Sequence, residues 1–394
     1  MNKKVEVGYG NVRRVVFGDG APLAFIGGPC AIESRDHALR MGERLTEVCE
    51  RVDIPLLASR GAKVLIATNP TQVLRLIGRS MMMSGDSAIV FLEDKIQHED
   101  EPSLSSHWKM LHSEFAVEHG RFMGIRGFGN FAPRTWRHRV AHRVMQVRLR
   151  RQMTHLDAFE HFLEIGHDVA RTQNRTLDLD LLRQVASLAV VEQFAKPVSH
   201  PTVVVIGDGF GAFSSLVLRH KPDSRIVLVN LDKTLLVDLA FLKMVLGDRF
   251  DSVTRLVSTE EEMHDALAVP SVRLIALRAR DASLIEHVEA DWAVNIVSMG
   301  EMLPSDIDTY SRALRTIAAR RELLFYNCNR VEKMHPDGTI IRFEDYPWKK
   351  SDKYYFDELG PWHQEYYTLR PPRYLPYDGP IRHALVRLVS SEYA

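Results

Sequence analysis

The sequence predicts an α/β protein whose C-terminal half is a doubly wound, Rossmann-like sheet. Three observations carry this. From Pro201 onward, short β-rich runs alternate with helical stretches. The first of these runs ends in a glycine loop that opens a helix. The second ends about 23 residues later in polar residues, the length of one strand–helix–strand unit.

Taken in order, residues 1–60 read as a small βα segment. VEVG (5–8) and VVFG (15–18) are short strands separated by Gly10 and Asn11. LAFIGG (23–28) is an apolar run ended by Gly-Gly-Pro, a buried strand. Ser34 precedes an amphipathic helix over about 35–52, with Leu39, Leu45, Val48 and Val52 near helical spacing, and IPLLA (54–58) is a further strand. Residues 61–100 read as a linker or irregular material, with a boundary at HEDEPS (98–103). Residues 101–194 read mostly helical, broken at the glycine-rich GIRGFGNFAP (124–133). Residues 195–394 carry the alternating pattern. Strands are expected at TVVVIG (202–207), RIVLVN (225–230), VTRLV (253–257), VRLIALR (272–278), WAVNIVS (292–298) and LLFYN (323–327). Helices are expected at 213–220 and through 233–247.

Lys plus Arg equal Asp plus Glu at 51 each in 394 residues, so no net charge draws the chain to nucleic acid or an anionic membrane, and nucleic acid is not an expected partner. The three cysteines, Cys30, Cys49 and Cys328, are too few and too scattered for a disulfide framework. No signal-peptide-like stretch follows the charged N-terminus, and no window reaches transmembrane length. A cytoplasmic location is the expectation; the oligomeric state is not legible.

The loop Gly207-Asp208-Gly209-Phe210-Gly211-Ala212 joins strand to helix. Glycines permit the tight turn and let a ligand approach without Cβ atoms in the way. The spacing also fits the dinucleotide fingerprint G-x-G-x-x-G/A, so a nicotinamide-dependent oxidoreductase remains an alternative. Asn230 and Asp232 close the second strand, where such folds grip a ribose.

Four further motifs follow in order. They are Asn295-Ile-Val-Ser298-Met299-Gly-Glu301-Met302, Phe325-Tyr326-Asn327-Cys328-Asn329-Arg330, Arg342-Phe343-x-x-Tyr346-Pro347-Trp348 and Pro361-Trp362-His363-Gln364-Glu365-Tyr366-Tyr367. Together with SLSSHWKMLHSEFAVEHG upstream, this series resembles a sugar O-methyltransferase family of bacterial surface-polysaccharide clusters, over roughly residues 100–390. The resemblance implies a class I methyltransferase sheet and an S-adenosylmethionine cofactor held by Gly207, Gly209, Gly211, Asn230, Asp232, Asn295 and Ser298. It also implies a sugar, nucleotide-sugar or glycan acceptor near Tyr326, Asn327, Asn329 and Trp362. The acidic residue usual two positions before the first glycine is Val205 here, and the acid usual at the second strand's end is Asn230. Those departures leave open a degenerate fold acting as a binding module.

A sugar hydroxyl is a poor nucleophile, so a nearby base should help. His363 is the first candidate and Glu301 the second; each also reads as a packed or capping residue. Residues 5–57, above all LAFIGGPCAIESRDHALRMGERLTEVCERVDIPLL, resemble the first βα unit of 3-deoxy-octulosonate 8-phosphate synthase, whose metal-using members bind metal through the cysteine matching Cys30. After IPLL the chain reads ASRGAKVLIA and departs from that family, so synthase activity is not expected and Cys30 is expected to be idle. RTWRHRVAHRVMQVRLRR (134–151) carries seven arginines, a solvated helix face or a contact for anionic groups. His138 and His142 stand four apart, but no third ligand accompanies them and no metal site is expected.

Overall fold

The computed structural model describes residues 83–389 apart from 99–100, 102–103, 119–120 and 126–128, and, within residues 1–82, the backbone of five short strands. Two units result, Met1–Met82 and Met83–Ala394. In the first, β1 (Val5–Val7) pairs antiparallel with β2 (Val15–Phe17). There too β3 (Phe25–Gly27) pairs in parallel with β4 (Leu56–Arg60), which pairs antiparallel with β5 (Lys63–Ile66). The helix expected over 35–52, together with Cys30 and Cys49, lies outside the described residues.

The second unit is built on β9 (Thr202–Ile206). Val203, Val204, Val205 and Ile206 are at most 2% exposed because the strand is flanked on both edges and covered on both faces. At about 1.5–3 kcal/mol for each buried aliphatic side chain, this strand alone is a substantial part of the core. Its neighbours are β10 (Arg225–Asn230) on one side and β13 (Trp292–Ile296) on the other, both parallel. Beyond β10 lie β12 (Leu274–Arg278), β11 (Thr254–Val257) and the antiparallel β6 (Met83–Ser84). Beyond β13 lie the parallel β14 (Leu323–Arg330), then β20 (Ile381–Leu388) antiparallel to it, and β17 (Lys353–Leu359) at the edge; β15 (Glu332–Met334) with β16 (Ile340–Arg342), and β18 (Glu365–Leu369) with β19 (Pro372–Pro376), form separate antiparallel pairs. The chain runs outward from β9 in one direction and returns to start again at β13. The carboxyl ends of β9 and β13 therefore flank a topological switch point, where open sheets of this kind bind ligands.

Helices form two mutually packed groups that both contact β10 and β12, and so cover opposite faces. One group contains α4 (Phe159–Thr172), α5 (Leu179–Phe194), α6 (Ala212–His220) and α7 (Asp232–Leu246). The other contains α8 (Glu260–Ala268), the 3-10 segment Ala279–His287 and α9 (Pro304–Arg320). The doubly wound sheet expected from the sequence is thus present.

Three local readings change. Residues 85–98, read as irregular, form α1 (Gly85–His98), which packs on α7 and β11 through Ala88 and Leu92. The unit boundary accordingly falls at 82/83 rather than near 100. Ahead of the break at 124–133, the part of 101–194 read as mostly helical is helix only over α2 (Ser106–His112); β7 (Ala116–Glu118) and β8 (Arg121–Met123) then form a hairpin. The seven-arginine segment is α3 (Trp136–Met153), capped by Thr135. No described helix is long and apolar enough to cross a membrane.

Candidate functional site

At the switch point a cleft of about 640 Å³ opens against a smaller cavity of about 270 Å³. Gly207, Asn230, Ser298 and Glu301 line both, so the two meet at the ends of β9, β10 and β13. The backbone there is under unusual constraint. Gly207, Gly209 and Gly211 have φ of 70°, 68° and 54°, and Phe210 between them has φ of 56°. At Gly207 a side chain is excluded: a Cβ would lie 2.3 Å from Ser298 Oγ. That hydroxyl is fixed, donating to Ile206 O at 3.1 Å and accepting from Asn295 Nδ2 at 2.5 Å. After β13, Val297 sits at φ 55° and lines the cleft. A β-branched residue in the left-handed region stores strain, and strain of this kind gathers at working sites.

The loop's polar groups are already committed in a telling way. The α6 N-terminal amides of Phe213 and Ser214 donate to the two Asp208 carboxylate oxygens at 2.7 and 2.8 Å. The Gly211 amide donates to Asp238 Oδ1 at 2.9 Å. Burial raises the pKa of Asp238 well above the usual carboxylate value, with Asp208 next to it adding to the shift. Burial likewise raises that of Asp208 to about 6, although Ser214 and Phe213 pull the other way. A helix N-terminus is ordinarily an anion site; here the chain's own carboxylate fills it.

Asp178 caps α5 by accepting from Leu181 N at 3.1 Å, and is also held by Arg175 and by the Ala132 amide. This cap sets Asp180 and Arg183 on the cleft wall. Burial, then Asp178, raises the pKa of Asp180. Arg183 donates to the carbonyls of Trp362 and Glu365, pinning the C-terminal extension over the cleft. It also lies 5.1 Å from the Tyr377 ring, which Arg330 faces at 4.9 Å. Tyr366, Tyr367 and Tyr377 complete an aromatic wall.

Of the residues expected to form the site, Gly207, Gly209, Asn230, Ser298, Glu301 and His363 line these cavities. Gly211 lies behind the loop, and Asp232 is paired with Arg280 at 2.9 Å. Asn230 spends its side chain on Asp238, at 2.7 Å, and on the Leu231 amide. Asn295, expected to face the cleft, is fully buried between Ile206 O, Ser298, the Met299 amide and Asn329. Tyr326, Asn327 and Asn329, expected on the sugar wall, are also core residues. The cause is β20, which pairs along the whole of β14 and, with the packed helices, buries both faces of its end. Tyr326 meets Ser187 and His383, while Asn327 and Asn329 bond to each other. Trp362 is 1% exposed and contributes its carbonyl to Arg183.

His363 borders the cleft at 2% exposure, and its Nε2 has no hydrogen-bond partner. Burial, then the charges of Arg183 and His383, lowers its pKa well below 6.5, so the ring is neutral. Glu301 holds His107 Nε2 at 3.4 Å, and its carbonyl accepts from Ser105, which docks α2 at the seam of the two cavities. His142 is engaged by the Tyr367 hydroxyl at 2.6 Å. Cys328 is buried and its thiol is pushed up to about 12, an inert group. Asp180, Asp208, Arg183 and Tyr377 were missed as site residues; TLDLDLLR at 176–183 read simply as helix, and only the cap at Asp178 reveals which face is turned to the cleft.

Comparison with known proteins divides the chain. Residues 3–62 match the DAHP synthetase I family. Over 53 residues, 14% of this chain, the sequence is 45% identical to the 2-dehydro-3-deoxyphosphooctonate aldolase of Chelativorans sp., of which 17% is covered. Over 37 residues, 9% of this chain, it is 51% identical to the corresponding aldolase of Cyanothece sp., of which 14% is covered. The chain therefore spans less than a fifth of the length of these curated relatives. Among solved structures, an O-methyltransferase family 2 protein from Planctomyces limnophilus is similar over 52% of this chain and 58% of its own, at 12% identity and a TM-score of 0.32. An arsenic(III) S-adenosylmethionine methyltransferase from Chlamydomonas reinhardtii is similar over 50% and 67%, at 11% identity and a TM-score of 0.32. Similarity at that level carries no weight for activity, and the fold rests on the sheet order given above.

Proposed function

We propose that the unit Met83–Ala394 transfers a methyl group from S-adenosylmethionine to a hydroxyl, with a sugar as the acceptor class. One observation carries the choice of cofactor: Asp208 occupies the α6 amides. A dinucleotide needs those amides for its pyrophosphate. Here an anion would meet Asp208 and Asp180 instead, whereas a ligand bearing a sulfonium and an ammonium would be favoured. The antiparallel β20 beside β14 also departs from the all-parallel order of the dinucleotide fold.

The cofactor supplies an electrophilic methyl group whose departure needs no acid. What remains for the protein is positioning, water exclusion and proton removal. Leu231, Ala279 and Ala282 offer the smaller cavity an apolar floor suited to a nucleoside. Gly207, Gly209 and Asp208 would border the charged end. On the acceptor side, the tyrosine wall suits the apolar face of a sugar ring, and Asn130, Arg330 and Asp378 suit its hydroxyls. His363, bordering the cleft with a neutral ring and an unpartnered Nε2, would accept the hydroxyl proton as the C–O bond forms.

Calorimetric titration of the full chain with S-adenosylhomocysteine and with NAD tests the reading. Binding of the former and not the latter is expected, and Gly209→Val, which puts a branched side chain into the loop at φ 68°, should weaken it at least about tenfold. NAD binding without S-adenosylhomocysteine binding would replace this proposal with the oxidoreductase one.

A further inference from the structure

A second cavity, of about 410 Å³, lies between α3 and α4, away from the glycine loop. On α3, Arg139, Arg143, Gln146 and Arg150 follow the spacing of a single helix face, and all four line it. Arg134, Arg171 and Arg175 complete the ring of guanidinium groups, and no carboxylate is among the lining residues. Partners for these charges are scarce. Among the described residues, Arg134, Arg139 and Arg143 have no ion pair, and Arg150 bonds to the neutral Gln146 Oε1 at 2.9 Å, leaving its buried Nε without a partner. Arg175 is 1% exposed; its Nη2 is used on Asp178 and Asn130 O, while Nε and Nη1 have no hydrogen bond and lie among the Phe131 and Phe210 rings. Arg150 is held below the ordinary arginine value by burial and then by Arg143.

So many forks converging on one basin, of which only Arg171 (with Asp168 at 3.3 Å) and Arg175 (with Asp178 at 2.8 Å) pair with a carboxylate among the described residues, match a multivalent oxyanion, which guanidinium groups bind bidentately. The basin is far larger than one phosphate and falls in the size range of small-molecule sites. At its rim Trp136 is 65% exposed, with Val140 beside it, also exposed. An open indole next to an anion site is the arrangement that stacks a base.

We propose that this cavity binds a nucleoside diphosphate, the diphosphate on Arg139, Arg143 and Arg150 and the base on Trp136. The site is distinct from the switch-point cleft, and Gln146 forms part of the wall between them, donating to Leu177 O and to the Tyr367 hydroxyl that borders the cleft. The proposal does not depend on methyl transfer.

Calorimetry of the full chain with uridine diphosphate, pyrophosphate and inorganic phosphate tests it, with saturating S-adenosylhomocysteine present to keep the cleft out of the measurement. Uridine diphosphate should bind at least about tenfold tighter than pyrophosphate, and pyrophosphate tighter than phosphate. Arg139→Ser with Arg143→Ser, both exposed and free of structural bonds, should weaken both diphosphates about tenfold or more while the melting temperature holds. Trp136→Ala should bring uridine diphosphate down to the affinity of pyrophosphate and leave pyrophosphate unchanged. Equal affinity for the two diphosphates in the native chain would overturn the nucleoside assignment. Binding indifferent to the arginine pair would place the ligand elsewhere, and retention of an RNA oligomer without uridine diphosphate binding would make the basin a nucleic-acid surface instead.

Discussion

Glu101 is a carboxyl group that burial should make visible in the stability of the whole unit. Its side chain is 7% exposed, borders the smaller cavity and accepts from the Asp232 amide at 2.7 Å. Burial, then Asp232, raises its pKa from 4.5 to about 8, against smaller opposing pulls from the Asp232 amide, Arg280 and Lys233. His112, 3.7 Å away, offers no counter-charge, because burial and Lys233 lower its own pKa to about 3. A carboxyl whose folded pKa exceeds its unfolded value binds its proton more tightly in the folded chain. Its contribution is fully present below pH 4.5, is lost as pH rises toward about 8 and is flat above that. At about 1.4 kcal/mol per pH unit, the whole interval amounts to at most about 5 kcal/mol, of which about 3 is gone by neutrality. Glu101→Gln keeps the oxygen that accepts from Asp232 and cannot ionise. Urea unfolding of both proteins at about pH 5, 7 and 9 should show the variant gaining on the native chain at each step, by several kcal/mol in total. A stability difference that is independent of pH, or that moves in favour of the native chain as pH rises, would refute the burial argument.

Three other outcomes are expected. Gly207→Ala forces a Cβ to within 2.3 Å of a hydroxyl fixed by two hydrogen bonds, at a φ that alanine resists, so it should cost about 2–4 kcal/mol and abolish S-adenosylhomocysteine binding in the folded fraction, read by melting and titration. His363→Ala should lower turnover by roughly 10²–10⁴ with cofactor affinity nearly unchanged; because the ring's pKa lies well below 6.5, the native rate should fall on acidification only below that value, and full activity per folded molecule in the variant would move the base to Glu301. The purified chain should form no octulosonate phosphate from phosphoenolpyruvate and arabinose 5-phosphate, since the synthase-like match ends at residue 62 and a different fold begins by Met83.

The sheet was legible because each of its parallel strands is an apolar run bounded by glycine or polar residues, as TVVVIG before Asp208 shows. The glycine loop was legible for the same reason: nothing but glycine repeats easily at positive φ. Polar residues at strand ends misled. Asn295, Asn327 and Asn329 look like ligand contacts in sequence, yet they satisfy one another in a buried amide network, and only the antiparallel closure by β20 shows why. Short elements were also hidden. The three-residue strands of the 116–123 hairpin carry too little periodicity to register, and α1 follows directly on MMMSG with only Ala88 and Leu92 as a fully buried apolar stripe. The arginines of α3 were visible as a run, but which of them share a face with α4 required the packing.

Charge is the property that separates the two large cavities. The switch-point cleft is bordered by five carboxylates, Asp178, Asp180, Asp208, Glu301 and Asp378, against two arginines, Arg183 and Arg330; the basin beyond Gln146 has arginines and no carboxylate. Arg175 borders the basin and reaches the cleft side only through Nη2, which Asp178 neutralises at 2.8 Å. That pairing keeps the basin's positive field from the cleft: an opposite charge in direct contact cancels most of a buried cation's potential, whereas the solvated guanidinium groups at the basin rim are screened within about 10 Å. A cationic donor in the cleft and a phosphate-bearing ligand in the basin are therefore compatible occupants a short distance apart. In the reverse arrangement, a pyrophosphate in the cleft would face Asp180 and a helix N-terminus already filled by Asp208. The sign of the charge on each side of the Gln146 wall thus decides which end of a ligand either cavity can take, independently of any particular acceptor.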